Sequence, residues 1–273
     1  MQPAEQHAHP TPERGRDGIN APRGRTAGRR NAAPRRRRQA SSARLFLALL
    51  GCAVLAAIQL PVAGVPDVLD PPGRLWSLWP QTITWVVLGG IWLAGARSIY
   101  RALERATHRA EVFEGASPPP SLMEDHRHVA AALWFGVAAV LCAVILPPML
   151  VGQWTLQPVQ MWQGLYGTYG MTGIVAAVGL LAYHCGFAVL TALALATTQS
   201  AAESLTSSQV LSKIPVGGLL VGLVAAAYQS VTGGWPLFVT TLISFLLVGA
   251  VHLLTGRRLR WTAPATALVL VFL

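Results

Sequence analysis

The sequence predicts an all-α fold, a polytopic membrane helical bundle of six spans plus a short C-terminal apolar segment. Three observations carry that prediction. Of the 273 residues, 53% are hydrophobic and only 12% charged, whereas soluble domains carry about 25% charged residues. Six apolar stretches run for 18 to 30 residues, near the roughly 20 that a crossing helix needs. The charge is also lopsided: of a net +10, residues 1–44 hold +8, with 11 of the 21 Lys+Arg and 3 of the 11 Asp+Glu. Collagen, a disulfide miniprotein and a soluble enzyme of ordinary composition are excluded.

The tail, residues 1–44, is rich in Arg, Ala, Pro and Gly and shows no apolar period. It cannot bury enough apolar surface to offset its chain entropy, so disorder on the cytoplasmic side is expected. Its densest run is Arg35, Arg36, Arg37 and Arg38. No aromatic residue interleaves with these arginines, as stacking on single-stranded nucleic acid would require. Contact with anionic lipids, at about 1 kcal/mol per basic residue near the surface, therefore ranks above nucleic-acid binding.

Leu45–Val65 is the first span, 21 residues without a charge. With 44 residues ahead of it, it reads as an anchor and not as a cleaved signal peptide. Leu49-Leu50-Gly51-Cys52 is similar to a lipoprotein processing site, but the apolar run continues past Cys52, which again favours an anchor. The remaining spans are about Gln81–Ser98, Val129–Val151, Tyr169–Thr198, Ile214–Thr232 and Pro236–Thr255. Trp261–Leu273 is apolar but only 13 residues long. It fits a half-inserted or interfacial segment, or a span whose end lies beyond this chain.

Orientation follows from counting. With the tail in the cytoplasm, 20 of the 21 basic residues fall on that side and only Arg74 lies outside, as the positive-inside rule demands. Trp76, Trp79, Trp154, Trp162 and Trp235 then mark external span ends. The cytoplasmic loop, about 99–128, begins as a charged helical continuation and is broken by Pro118-Pro119-Pro120.

Chemistry is sparser. Cys52, Cys142 and Cys185 fall in three different spans with no metal or redox spacing, so they read as packing residues. No phosphate-binding Gly-rich loop, nucleophile elbow or His-Glu-x-x-His pattern is present, and no cofactor or metal is implied. Glu124-Asp125-His126-Arg127-His128 is a dense ionisable cluster that suits a solvated helix N-terminus better than a metal site. Ionisable groups inside a membrane are functional candidates by default, which singles out His184, Glu203 and His252. Of these, Glu203 and His252 stand near span ends and His184 should lie deepest. Gly218-Leu-Leu-Val-Gly222, Gly89-Gly90, Gly217-Gly218 and the series Gly167, Gly170, Gly173 read as close helix approaches.

From Tyr183 onward the chain runs YHCGFAVLTALALATTQSAAESLTSSQVLSKIPVGGLLVGLVAAAYQSVTGG and then LISFLLVGAVHLLTGRRLRWTAPATALVLVFL. These residues, one third of the chain, resemble the C-terminal core of the CPBP membrane family (CAAX proteases and bacteriocin-processing enzymes, also called Abi proteins). The resemblance implies a bacterial plasma-membrane protein whose relatives cleave peptide bonds within the bilayer. Their motifs are Glu-Glu-x-x-x-Arg, Phe-x-x-x-His and His-x-x-x-Asn/Asp, the glutamates activating water. Matched residue by residue, Glu203 takes the first glutamate, Ser204 replaces the second and Ser208 replaces the arginine. In another register the glutamate falls at Phe187. Ala225-Ala-Ala-Tyr-Gln229 stands for the second motif, and His252 takes the later histidine with Gly256 in place of Asn or Asp. Gln229 can hydrogen-bond but cannot cycle a proton as histidine does.

The expected reading is a non-catalytic relative that binds or regulates other membrane proteins or peptides, with Glu203, Gln229, His252 and His184 as candidate site residues. The alternatives are an active intramembrane peptidase with a non-standard site, and a small transporter or permease component.

Overall fold

The computed structural model describes residues 27–59, 78–107, 125–152, 156–205 and 211–273. Every regular element among them is helical: α1 (Ala27–Ala57), α2 (Leu78–Thr107), α3 (Asp125–Val151), α4 (Gln157–Tyr169), α5 (Gly173–Leu205), α6 (Val216–Leu254) and α7 (Leu259–Phe272). The chain divides into two units, Met1–Arg37 and Arg38–Leu273. Within the first, residues 27–37 form the start of α1. Residues 1–26 and the side chains of Arg35 to Arg38 lie outside the described residues.

Among the described residues, four helices are long and apolar enough to cross a membrane: Leu78–Ala106, Arg127–Val151, Pro158–Leu205 and Gly234–Leu254. Ser42–Ala57, Val216–Val231 and Leu259–Phe272 are apolar but shorter. The expected six spans therefore appear as four helices of crossing length and three short ones. The differences have local causes. α1 ends at Ala57, and the rest of the expected first span, 60–65, lies outside the described residues. The Pro158–Leu205 stretch is interrupted where Gly170 takes φ +59°. A Cβ on Gly173 would sit 2.8 Å from the Leu165 carbonyl oxygen, so only glycine lets the chain turn this tightly between α4 and α5.

α6 is a helical hairpin. Gly234, at φ 65° and ψ −160°, breaks it just before Pro236, whose missing N–H suits the first turn of a new helix. The two arms then face each other: Gly218 lies against Phe245 and Gly249, and Gly222 against Phe245 and Leu242. The Gly218/Gly222 pair thus acts as its spacing suggests, bringing two backbones close.

α5 is the central element, packing against α2, α4, α6 and α7. It runs parallel to α2, Thr82 meeting Gly179 and Gly89 meeting Gly186. α3 lies antiparallel to the second arm of α6, where the Ser244 hydroxyl donates to the Ala139 carbonyl at 3.3 Å. Trp92, fully buried, packs on Tyr183 and Phe187 and donates its indole N–H to the Leu55 carbonyl, tying α1 to α2 and α5.

Large apolar side chains are left exposed, and several polar ones are buried within an otherwise apolar core. Trp134, Leu133, Val178, Val224 and Val231 are exposed, while Thr197, Gln199, Thr240, Ser244, His252, Thr262 and Thr266 are buried. Apolar surface on this scale is stable against lipid tails, and polar side chains inside then serve as hydrogen-bonding links between helices.

Candidate functional site

The polar side chains converge at one end of the bundle, where α5 ends, α6 begins and ends, and α7 starts. Gln199 is 1% exposed, and an amide buried that deeply must satisfy its hydrogen bonds within the protein. Its Oε1 accepts from the Gly217 N–H at 2.9 Å, closing one of the open donors of the α6 N-terminus. Its Nε2 donates to the carbonyls of Leu211 and Ile214 at 3.3 and 3.2 Å and to Glu203 Oε1 at 2.8 Å. One side chain of α5 thereby secures the segment leading into α6.

Glu203, one turn further on, also meets Arg257, with Nη2 2.9 Å from the same Oε1. Arg257 reaches it because α6 ends in a Schellman motif. The Arg257 N–H donates to the His252 carbonyl at 2.8 Å and the Gly256 N–H to the Leu253 carbonyl at 3.2 Å, satisfying the last carbonyls of the helix. Gly256 and Arg257 both have positive φ, 69° and 66°. Glycine takes that conformation freely, whereas at Arg257 it carries strain, offset here by the ion pair.

His252 is fully buried beside this turn, and its Nδ1 lies 2.8 Å from the Thr262 hydroxyl of α7. Its Nε2 is buried without a partner among the described residues. Glu203 and His252 are therefore both tied to Arg257, one through its guanidinium and one through its backbone.

The other two candidates lie elsewhere. His184 precedes Gln199 by 15 residues on α5, about 22 Å along a helix. It packs edge-on to Tyr183, and its Nε2 is buried without a partner among the described residues. Gln229 is half-buried near the far end of the first arm of α6, 12 residues beyond Gly217, or about 18 Å. His184 and Gln229 thus stand about 22 and 18 Å from the polar end along their helices, at a similar depth, while Glu203 and His252 belong to the polar end itself.

The positions matched to the resembling motifs have structural partners. Ser204 donates to the Ala201 carbonyl and lies 3.1 Å from the Ser42 hydroxyl. Phe187 packs on Trp92. Ser208 lies outside the described residues. Among the described residues no group of three His, Cys, Asp or Glu side chains could hold a metal ion. α3 begins at Asp125, inside the ionisable cluster, and Arg127 and His128 are exposed.

Gln199, Arg257 and Thr262 were not singled out from the sequence, although each carries a link in this cluster. A signal existed for the first: Gln199 is a lone amide at the end of an apolar run, four residues before Glu203, on the same helical face.

Taken together, the apolar exterior, the polar side chains buried between helices and, among the described residues, four helices of crossing length are those of a multi-pass helical membrane protein. No family model, curated protein or solved structure matches the chain.

Proposed function

We propose that the chain is a plasma-membrane protein that crosses the bilayer six times, keeps its N-terminus in the cytoplasm, and works by binding other membrane proteins or peptides. On this reading it is a CPBP-like scaffold without the family's peptidase chemistry. The observation that carries it is the engagement of Glu203. A general base needs a carboxylate free to take a proton from water, whereas one of the two Glu203 oxygens, Oε1, is already held by both Arg257 and Gln199. The wide separation of His184 and Gln229 from that carboxylate adds support, because activating one water requires convergence. Six crossings draw support from the α6 hairpin, whose two arms run in opposite directions. The orientation draws on the basic residue count.

One observation favours the peptidase alternative: Glu203 and His252 both adjoin Arg257. The test is direct. The full chain, reconstituted into phosphatidylcholine–phosphatidylglycerol vesicles, is offered a panel of transmembrane peptides, and cleavage is followed by mass spectrometry. No cleavage that depends on Glu203 is expected. Cleavage abolished by Glu203→Gln and by His252→Ala, with both variants folded, would overturn the non-catalytic reading.

A further inference from the structure

α2 and α7 pack on α5 to either side of Val189 and Leu193, leaving an open apolar groove of about 610 Å³ between them. That volume is within the range of small-molecule sites, about 300–1,000 Å³. On α2 the groove runs from Gly90 to Tyr100, with Leu259 and Ala263 of α7 on the opposite wall. Ten residues of helix rise about 15 Å, half of the roughly 30 Å hydrocarbon core. The groove therefore has the length of one leaflet.

Its polarity is graded along that length. Gly90, Leu93 and Ala94 line the deep part, and Arg97 and Tyr100 line the end nearer the polar cluster. Arg97 is 19 residues from the start of α2, about 29 Å, which sets its guanidinium at the membrane interface. Among the described residues no carboxylate is paired with Arg97.

We propose that this groove binds one anionic diacyl phospholipid of the bilayer, an acyl chain lying along Gly90, Ala94 and Leu193 and the phosphate meeting Arg97. The pairing is one of charge and length. A guanidinium makes charge-assisted hydrogen bonds to phosphate, and the apolar walls match a chain spanning one leaflet. A zwitterionic lipid of the same chains offers the same apolar fit with no net charge. The inference requires the membrane setting of the bundle and is independent of whether the chain is catalytic.

Gly90 gives a clean probe, since a Cβ added there meets nothing within 4 Å. A leucine at that position extends into the groove from a Cβ that meets no neighbour. The experiment is native mass spectrometry of the full detergent-purified chain titrated with dioleoyl phosphatidylglycerol or dioleoyl phosphatidylcholine. Melting temperatures of each variant are measured alongside, and Ala94→Leu serves as a second plug. The wild type is expected to bind the anionic lipid at least tenfold more tightly. Arg97→Gln should erase that preference while leaving a weak common affinity, and either folded plug variant should lose binding of both lipids. Equal binding of the two lipids by the wild type, a preference that survives Arg97→Gln, or unchanged binding in a folded plug variant would each overturn the proposal. All three outcomes leave the membrane reading intact, because sidedness is measured separately by labelling.

Discussion

The two faces of α5 differ in how much polar side chains contribute to holding them. Toward α2 the contact is one of shape: Gly89 lies directly on Gly186, Thr82 on Gly179, and Trp92 fills the space beside Tyr183 and Phe187. Toward α6 and α7 the same helix adds hydrogen bonds to close packing: Gly217 sits against the Leu195 carbonyl, Gln199 holds the α6 N-terminus and Glu203 holds Arg257. Between helices in lipid, hydrophobic attraction contributes little, so close packing and polar links are the available means of association. The first depends on the absence of side chains and the second on their identity. Each therefore fails under a different kind of substitution.

The largest effect is expected where shape rules. A Cβ on Gly186 would run into the backbone of Gly89, which cannot move aside as a side chain can. Gly186→Leu should cost about 3 kcal/mol or more, read as loss of monodisperse protein on size-exclusion chromatography. On the polar side, Gln199→Leu keeps the volume and removes the links to Gly217, Leu211 and Ile214. Leaving buried polar groups unsatisfied should cost about 2–3 kcal/mol, measured as a lowered melting temperature in nanodiscs.

Glu203 and Arg257 form a pair whose side chains are 18% and 20% exposed, so a smaller effect follows. A double-mutant cycle with Glu203→Gln and Arg257→Gln should give a coupling of about 0.5–1 kcal/mol. Additive melting-temperature changes would mean that the pair holds nothing. The smallest effects come from adjacent glycines. Gly90→Ala should stabilise by about 0.5–1 kcal/mol through helix propensity, since its Cβ meets open space. Gly89→Ala should instead destabilise, its Cβ falling 2.5 Å from the Ala182 carbonyl oxygen. Equal responses at the two positions would remove the distinction between packed and open faces of α2.

Much of this was readable from the residues alone. The all-helical class follows from long apolar runs, and the Gly218/Gly222 spacing marks a true close approach. The α6 hairpin was legible as two apolar runs, Ile214–Thr232 and Pro236–Thr255, separated by Gly233-Gly234-Trp235. The break at Gly170 was not, because Gly167, Gly170 and Gly173 have the same spacing but different surroundings: only Gly170 turns the backbone and only Gly173 meets a carbonyl. The polar cluster was half legible. Glu203 and His252 stand out as ionisable residues in apolar sequence, but their partners Arg257 and Thr262 are distant or ordinary in type. A pairing between residues 54 apart, such as Glu203 with Arg257, leaves no trace in local periodicity.

The most direct measurement is sidedness across the α6 hairpin. In a chain whose Cys52, Cys142 and Cys185 are replaced by alanine, single cysteines are introduced at Lys213, Trp235 and Arg260, all exposed. Intact cells are then treated with a membrane-impermeant maleimide. Labelling at Trp235→Cys alone, with Lys213→Cys and Arg260→Cys labelled only after permeabilisation, is the predicted result. Labelling of all three from one side would contradict two crossings by α6, and labelling of Lys213→Cys and Arg260→Cys alone from outside would reverse the orientation.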